Sequence, residues 1–426
     1  MLREPLITDA VWDAFVDAAR PTSYLQRSAW AESKKPNGWR AVRILNSGPA
    51  DPPRDGGVAR GSVPSAEPQM AGAEPQVGAA EAEGAAGRGL GAQLLIRRVA
   101  PTPWSVAYAP RGPLATDWNE DTIASFSAMV RDVLAMQPER IAYLRIDPGL
   151  DLASDPDALG RGSAWMAARL GEAGWRPAPA VQPNASRIVD LRVSEAELWS
   201  GLRKKWRQYV NRARTEGVRV VEGGTDRLAD FYAIYRETAR RAGFIIRSEQ
   251  AYRDVWTAFD RDRLARLLFA ELPDGTPVAT LLLLRSGGTV TEPYGGATLA
   301  GGEQRANYLL KWEAMNRSRE DGATAYDMWG LSSPGIAHFK AGFGGRELRY
   351  AGAWDLGLDP VGRGVLDAAR RARIWASRVR HGLDPRRAVS ADGAGGSEGP
   401  ERPEGPDRPA VRPARESGTS GEGGAP

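Results

Sequence analysis

The sequence predicts an α/β (α+β) protein built from two domains, and three observations carry that prediction. Apolar residues switch repeatedly between helical and strand spacing along the chain. The alternation runs through one plan of helices and strands and then through it again. The length, 426 residues, exceeds what one ordinary core absorbs, since domains run to roughly 100–200 residues.

The elements follow in order. WDAFVDAA (Trp12 to Ala19) has helical spacing, and WRAVRIL (Trp39 to Leu45) and AQLLIRRV (Ala92 to Val99) read as strands. Between those strands, from about Asn46 to Arg88, the chain is rich in Gly, Pro, Ala and charge and lacks apolar periodicity, so it is expected to be an unstructured, expanded hairpin loop. Closure entropy grows slowly with loop length, so the insertion need not harm the fold. Ile123 to Met136 is a helix and Ala142 to Asp147 a strand. The second round opens with strand RIVDLR (Arg187 to Arg192), one long basic helix from about Glu195 to Glu216, and strand VRVVEG (Val218 to Gly223). Helices around RLADFYAIYRETARRAG and YRDVWTAFD come next, followed by strands RLLFAEL, VATLLLLR and TVTEPYGG, helix YLLKWEAMNRSREDG and strand AYDMWGL. From about Pro385 to Pro426 the composition again predicts no structure. No long heptad segment separates the helices at Arg203 and Arg227, so no coiled-coil arm is expected.

Composition removes several kinds of chemistry. Without Cys there are no disulfides, thiolate zinc sites, iron–sulfur clusters or thiol nucleophiles. With only His338 and His381, a histidine-bound metal or a Ser-His-Asp triad is hard to assemble, and neither metal nor cofactor is expected. Chemistry must rest on Lys, Arg, Asp, Glu, Tyr or backbone groups. No stretch approaches the roughly 20 apolar residues of a membrane span, and the start MLREPLITDA has no apolar signal core, so a cytoplasmic location is expected. The net charge of +4 is modest, so partners must be read from where the charges sit.

Five stretches carry candidate chemistry. In LRKKWRQYVNRAR, helical spacing puts Leu202, Trp206, Val210 and Ala213 on one face and Arg203, Arg207, Asn211 and Arg214 on another. The first is core. The second either holds phosphates, which Arg forks match in a bidentate way, or is an ordinary solvated face. LQRSAWAESKKPNGW carries Lys34 and Lys35 just past an amphipathic helix, where a lysine either meets an anion or merely solubilises. In SVAYAPRGPLATD a rigid Pro-Gly-Pro turn either presents Arg111 to a ligand or ends a strand. YDMWGLSSPGIAHFKAGFGG reads as a strand breaking into a Gly- and Ser-containing loop that presents His338, Phe339 and Lys340, or as a tight connection with core aromatics. Tyr294, in EPYGGA, ends a strand where its hydroxyl either reaches a cleft or is satisfied by packing.

Taken in order, these motifs resemble the Fem family of peptidoglycan interpeptide-bridge aminoacyltransferases. The resemblance rests on LQRSAW and GW, YAPRGP, LRIDP, QPNAS, LRKKWRQYVNRARTEGV, TARRAGFIIRSEQAY, EPYGGA, NYLLKWEAM, and AYDMWGL with HFKAGFGG, from about residue 10 to residue 355. It implies two GNAT-like (acyl-CoA N-acyltransferase-like) domains, at 1–185 and 186–350, with a strand and helix at 351–384 returning to the first and a disordered tail at 385–426. It also implies transfer of an aminoacyl group from charged tRNA to an amine of the stem peptide, in UDP-MurNAc-pentapeptide or lipid II. A monomer that touches the inner membrane surface peripherally would suit that role. Carried over by position, Lys34 and Arg207 grip the precursor diphosphate, and Phe339 with Lys340 stands at the reacting centre. Arg111, Tyr294 and Asn211 complete the substrate-binding candidates, and Arg212, Arg214, Arg240 and Arg241 are candidates for tRNA phosphates.

This sequence departs from the family pattern at three points. Trp206 replaces a common Thr or Ser, Ala297 stands where a Ser often follows Tyr-Gly-Gly, and the acidic residue after the Arg-Gly-Pro turn is displaced to Asp117. An aminoacyl ester is already activated, so attack by an amine needs positioning and stabilisation of a tetrahedral oxyanion rather than a protein nucleophile. The alternatives are an N-acyltransferase using acyl-CoA, for which GGEQRANYLLKW is the nearest pyrophosphate loop, and a non-catalytic RNA- or precursor-binding protein.

Overall fold

The structure is a computed structural model that describes residues 7–47, 89–116, 118–119, 121–150 and 163–380. The greater part of the 46–88 insertion, Asp117, His381 and the tail from 385 lie outside the described residues.

Two mixed sheets flanked by helices form the molecule. The first contains β1 (Arg40–Ser47), β2 (Gly89–Arg98), β3 (Ser105–Ala109), β5 (Ile141–Ile146), β14 (Ala353–Gly357) and β6 (Trp175–Ala178), in that spatial order, with β4 (Leu114–Ala115) paired on β2. β1 and β2 are antiparallel in unbroken register from Arg40↔Ile96 to Ser47↔Gly89, so the insertion leaves and rejoins the sheet at paired residues. Helices α3 (Thr122–Ala135) and α4 (Ser163–Glu172) cover this sheet, and Phe126, Val130, Leu144, Leu170, Trp175 and Leu356 form its core. β14 lies between β5 and β6 and is antiparallel to both, so a strand from far along the chain completes the first sheet.

The second sheet runs β13 (Arg346–Arg349), β7 (Ala185–Asp190), β12 (Ala325–Asp327), β11 (Thr289–Ala297), β10 (Pro277–Ser286), β9 (Ala265–Glu271) and β8 (Arg219–Gly223). Its two faces alternate residue by residue, as the period of a strand requires. Leu281 and Leu283 join Leu268 and Ala270 beneath α6 (Lys204–Thr215) and α10 (Ala306–Glu320). Leu282 and Leu284 join Leu267 and Phe269 beneath α7 (Leu228–Ala242) and α8 (Glu249–Asp260). The second face also receives Tyr24, Leu25, Ala29 and Trp30, the last two from α2 (Ser28–Lys34) of the N-terminal region, so its core is shared between the two halves. Gly287 N donates to Asp17 Oδ1 of α1 (Asp9–Ala18) at 2.6 Å, and Thr22 Oγ1 lies 2.7 Å from Ser286 Oγ.

Three expected elements need correction. The single basic helix over 195–216 is two helices, α5 (Glu195–Gly201) and α6, separated by extended backbone at Leu202 and Arg203. The break lets Arg203 N bond Gly342 O at 2.8 Å, docking the helix start on the loop that follows Lys340. The strand expected to reach Leu331 stops at Asp327, because Trp329 turns into the left-handed region at φ 53°. Residues expected as a loop around His338 form α11 (Pro334–Ala341), whose Ser333 Oγ caps Ile336 N and whose Pro334 occupies the first turn.

Among the described residues, no helix is long and apolar enough to cross a membrane, and no group of His, Cys, Asp and Glu is arranged to hold a metal ion.

Candidate active site

The short helix α2 sets the first corner of the site. Ser28 N bonds Asp13 Oδ1 at 2.9 Å and Arg27 pairs with Asp17, which ties the helix start to α1. Trp30 and Lys34 are one turn apart, and Lys34 Nζ lies 3.6 Å from the centre of the Trp30 ring. Lys34 is 6 % exposed, and among the described residues no carboxylate pairs with its ammonium. Burial pushes its pKa down to about 6; the Arg247 charge adds to this and Asp254 of α8 opposes it. A buried lysine held mostly neutral by its surroundings is a position that an anionic ligand completes, because the anion stabilises the protonated form.

Arg247 follows α7 and carries the second charge at this corner. Its backbone N bonds the Tyr252 hydroxyl at 3.1 Å, while its side chain is exposed. Tyr252 packs edge-on against Tyr294 at 5.1 Å and against Tyr235 at 5.6 Å, and Tyr24 meets Trp329 at 5.6 Å. Burial raises the pKa of Tyr294, and the field of Arg247 works against that rise. The result is an aromatic wall with the Arg247 guanidinium and the Lys34 amine at its edge.

The third contribution comes from the turn after β3. Arg111 adopts φ 54°, and its N–H donates to the buried Asp147 Oδ1 at 2.6 Å. Tyr108 Oη donates to the other carboxylate oxygen at 2.8 Å, and burial raises the Asp147 pKa. The Arg111 side chain crosses to the second half, where Nη2 bonds Pro183 O at 2.7 Å and the guanidinium lies 3.9 Å from the Tyr350 ring and 5.1 Å from that of Trp329. Arg111 therefore sits inside the structure as a clamp between halves rather than on a free turn.

Lys340 lies beneath the turn after β12. Its ammonium is fully buried and donates to Met328 O and Trp329 O at 2.7 Å each and to Gly330 O at 3.0 Å. The positive φ of Trp329 helps aim consecutive carbonyls at one point. Beside the ammonium, the buried Asp327 bonds Ser186 Oγ and accepts from Trp329 N at 2.7 Å. Phe339 faces the other way, packing on Tyr308 at 5.1 Å and Phe343 at 5.3 Å. Trp206 Nε1 donates to Phe339 O at 3.0 Å, so the residue that replaces a family Thr or Ser holds the Phe-Lys segment in place.

Lys34, Arg111, Tyr294 and Lys340 thus converge through Trp329, Tyr24 and Arg247. Arg207 and Asn211 do not join them, since α6 lies on the opposite face of the second sheet. Arg207 Nη1 bonds Ser200 O at 2.9 Å and Leu202 O at 2.8 Å, closing the break between α5 and α6, and Asn211 is exposed one turn further on. Arg212 and Arg214 pair with Glu216 and Glu313 at 2.7 and 2.9 Å. Arg240 and Arg241 end α7, with Arg241 bonded to Ala297 O at 2.8 Å. The Gly301–Gly302 pair, read as the nearest pyrophosphate loop, lies inside the short helix α9 (Leu299–Glu303).

Sequence reasoning did not select Arg247, Trp329, Tyr252 or Asp327 as site residues. Their segments carry the family resemblance, yet nothing in spacing shows that a loop arginine meets a lysine more than 200 residues away.

Fold and site define a two-sheet α/β protein whose shared core ends in a cationic, aromatic-walled corner suited to an anionic ligand. The FemAB family model matches residues 86–275 and 271–371, most of the chain, and the protein belongs to the FemAB family. A lipid II:glycine glycyltransferase of Staphylococcus aureus is 24 % identical over 266 residues, 62 % of this chain and 54 % of its own length. The chain thus spans about half the length of the curated relatives it matches. The crystal structure of FemX superimposes with a TM-score of 0.65 at 20 % identity, covering 84 % of this chain and 98 % of that one, which shows the shared fold.

Proposed function

We propose that the protein transfers an aminoacyl group from charged tRNA to the stem-peptide amine of a peptidoglycan precursor, either UDP-MurNAc-pentapeptide or lipid II, on the cytoplasmic side of the membrane. The single observation that carries this reading is Lys34: a buried amine with no carboxylate partner among the described residues, next to Arg247 at the seam of a FemAB fold, which takes up a proton when an anion arrives. A diphosphate supplies the missing charge, and the buried Tyr24, Tyr252 and Tyr294 cluster behind the lysine keeps water from screening it. Arg247, whose charge reaches Lys34, is the second phosphate contact in this reading, whereas Arg207 and Asn211, on the opposite face of the second sheet, take no part in gripping that diphosphate.

In the reaction the neutral stem-peptide amine attacks the ester carbonyl carbon, forming the C–N bond and a tetrahedral oxyanion. Collapse breaks the bond to the ribose oxygen, which takes up a proton while the new amide nitrogen loses one. Lys340 places a positive charge where that oxyanion forms. Because its ammonium is covered by the carbonyls of Met328, Trp329 and Gly330, this role requires the turn to open as the donor binds. Phe339 shapes the adjoining wall.

The test is mass spectrometry of UDP-MurNAc-pentapeptide and of lipid II after incubation with the protein, total tRNA, synthetases and amino acids. A tRNA-dependent gain of one amino-acid residue identifies donor and acceptor together, and no gain on either acceptor rejects the reading.

A further inference from the structure

Two of the most exposed large apolar side chains among the described residues border the end of one helix. Ile245 is 93 % exposed and stands in the segment that leaves α7, directly after Gly243 closes the helix in the left-handed region at φ 75°. Leu299 is 64 % exposed, and its N–H bonds Glu237 Oε1 of α7 at 2.9 Å, which places it against the same end of the helix. Arg236, Arg240, Arg241 and Arg247 are all exposed around them. Glu237 offsets part of that charge, with Arg241 Nη1 at 3.8 Å. Phe244 and Ile246, on either side of Ile245, are partly buried against the shared core, so the segment is anchored by its flanks and projects only its tip.

We propose that this apolar tip with its arginine rim docks on the surface of an anionic lipid bilayer. Aliphatic side chains gain free energy by leaving water for the headgroup–acyl boundary, and arginines beside them gain from anionic headgroups at the same depth. RNA is the weaker match: the rim suits phosphates, but Ile and Leu offer no ring face on which a base can stack. The surface deepens the transferase reading, because the arginine-bearing segment also carries Arg247 of the site, so docking brings the cationic corner close to a lipid-linked acceptor.

The test is co-sedimentation with vesicles of equal parts phosphatidylglycerol and phosphatidylethanolamine, which contain no precursor, against phosphatidylcholine vesicles, at about 0.1 M salt, where screening is appreciable. The protein is expected to bind the anionic vesicles. The double variant Ile245→Asp with Leu299→Asp should lose about tenfold or more in partitioning, and Arg240→Glu several-fold, with unchanged thermal transitions because all three positions are exposed. No binding by the unaltered protein, or equal binding by the double variant, overturns the proposal. So does a tenfold loss of tRNA affinity in the double variant with vesicle binding intact, which makes the face an RNA surface. Transfer to a soluble precursor is independent of this surface, so a failed transferase reading shows as lost turnover with vesicle binding retained.

Discussion

At the residue scale, Lys34 ties stability and binding to one proton. Its folded pKa, about 6, lies below the ordinary lysine value of 10.5, so between those values the folded protein holds fewer protons than the unfolded chain. Stability from this group therefore rises with pH across that window, and the cost is largest at and below about pH 6. Lys34→Met is expected to raise the melting temperature near pH 7 while weakening binding of a diphosphate precursor by about tenfold or more. Calorimetry in two buffers of different ionisation enthalpy should show proton uptake on precursor binding in the parent and none in the variant; uptake of equal size in both would remove Lys34 from the anion site. Lys340 makes a different prediction. Lys340→Met leaves three buried carbonyls without their donor, so both stability and turnover should fall, the latter by about 10²-fold or more. A turnover number unchanged at a temperature where the variant is folded would rule out its role in the reaction.

At the scale of elements, the loop after α11 is held by one indole. A Cβ on Gly342 would come within 2.2 Å of the Trp206 ring, and that ring is fixed by its bond to Phe339 O. Gly342→Ala should thus destabilise by about 1–3 kcal/mol through overpacking, measured by urea denaturation, and a value near zero would mean that the loop is free to move. Much of this organisation was legible in the sequence. The apolar periods of β9 to β11 and of α7, α8 and α10 follow directly from residues such as Leu267, Leu268, Phe231 and Leu309, which tertiary packing reinforces. The break at Leu202 and Arg203 was not legible, because the partner that favours it is Gly342 O, distant in sequence. α11 carried a readable Ser-Pro start, but the glycines around it suggested a loop. At the site, Lys34 and Lys340 were legible as positions that match the family. Their burial, the covering carbonyls and the approach of Arg247 depend on packing that no local pattern encodes.

At the scale of the whole molecule, the two sheets share a core through Tyr24, Trp30 and Trp329, and Arg111 bonds across the seam. The expected consequence is one cooperative unfolding transition, with calorimetric and van't Hoff enthalpies in agreement; two resolved transitions would show that the halves melt separately. The seat of β14 between β5 and β6 carries a further consequence, for the order in which the protein is made. When the ribosome has released β5 and β6, the slot between them is still vacant, and its occupant is roughly 200 residues away along the message. At elongation speeds of about 5–20 residues per second, the N-terminal sheet waits on the order of ten seconds or more for its last strand. During that interval two strand edges stand open to any other extended chain, so the nascent protein is most exposed to misassembly and chaperone capture just before residues 353–357 emerge.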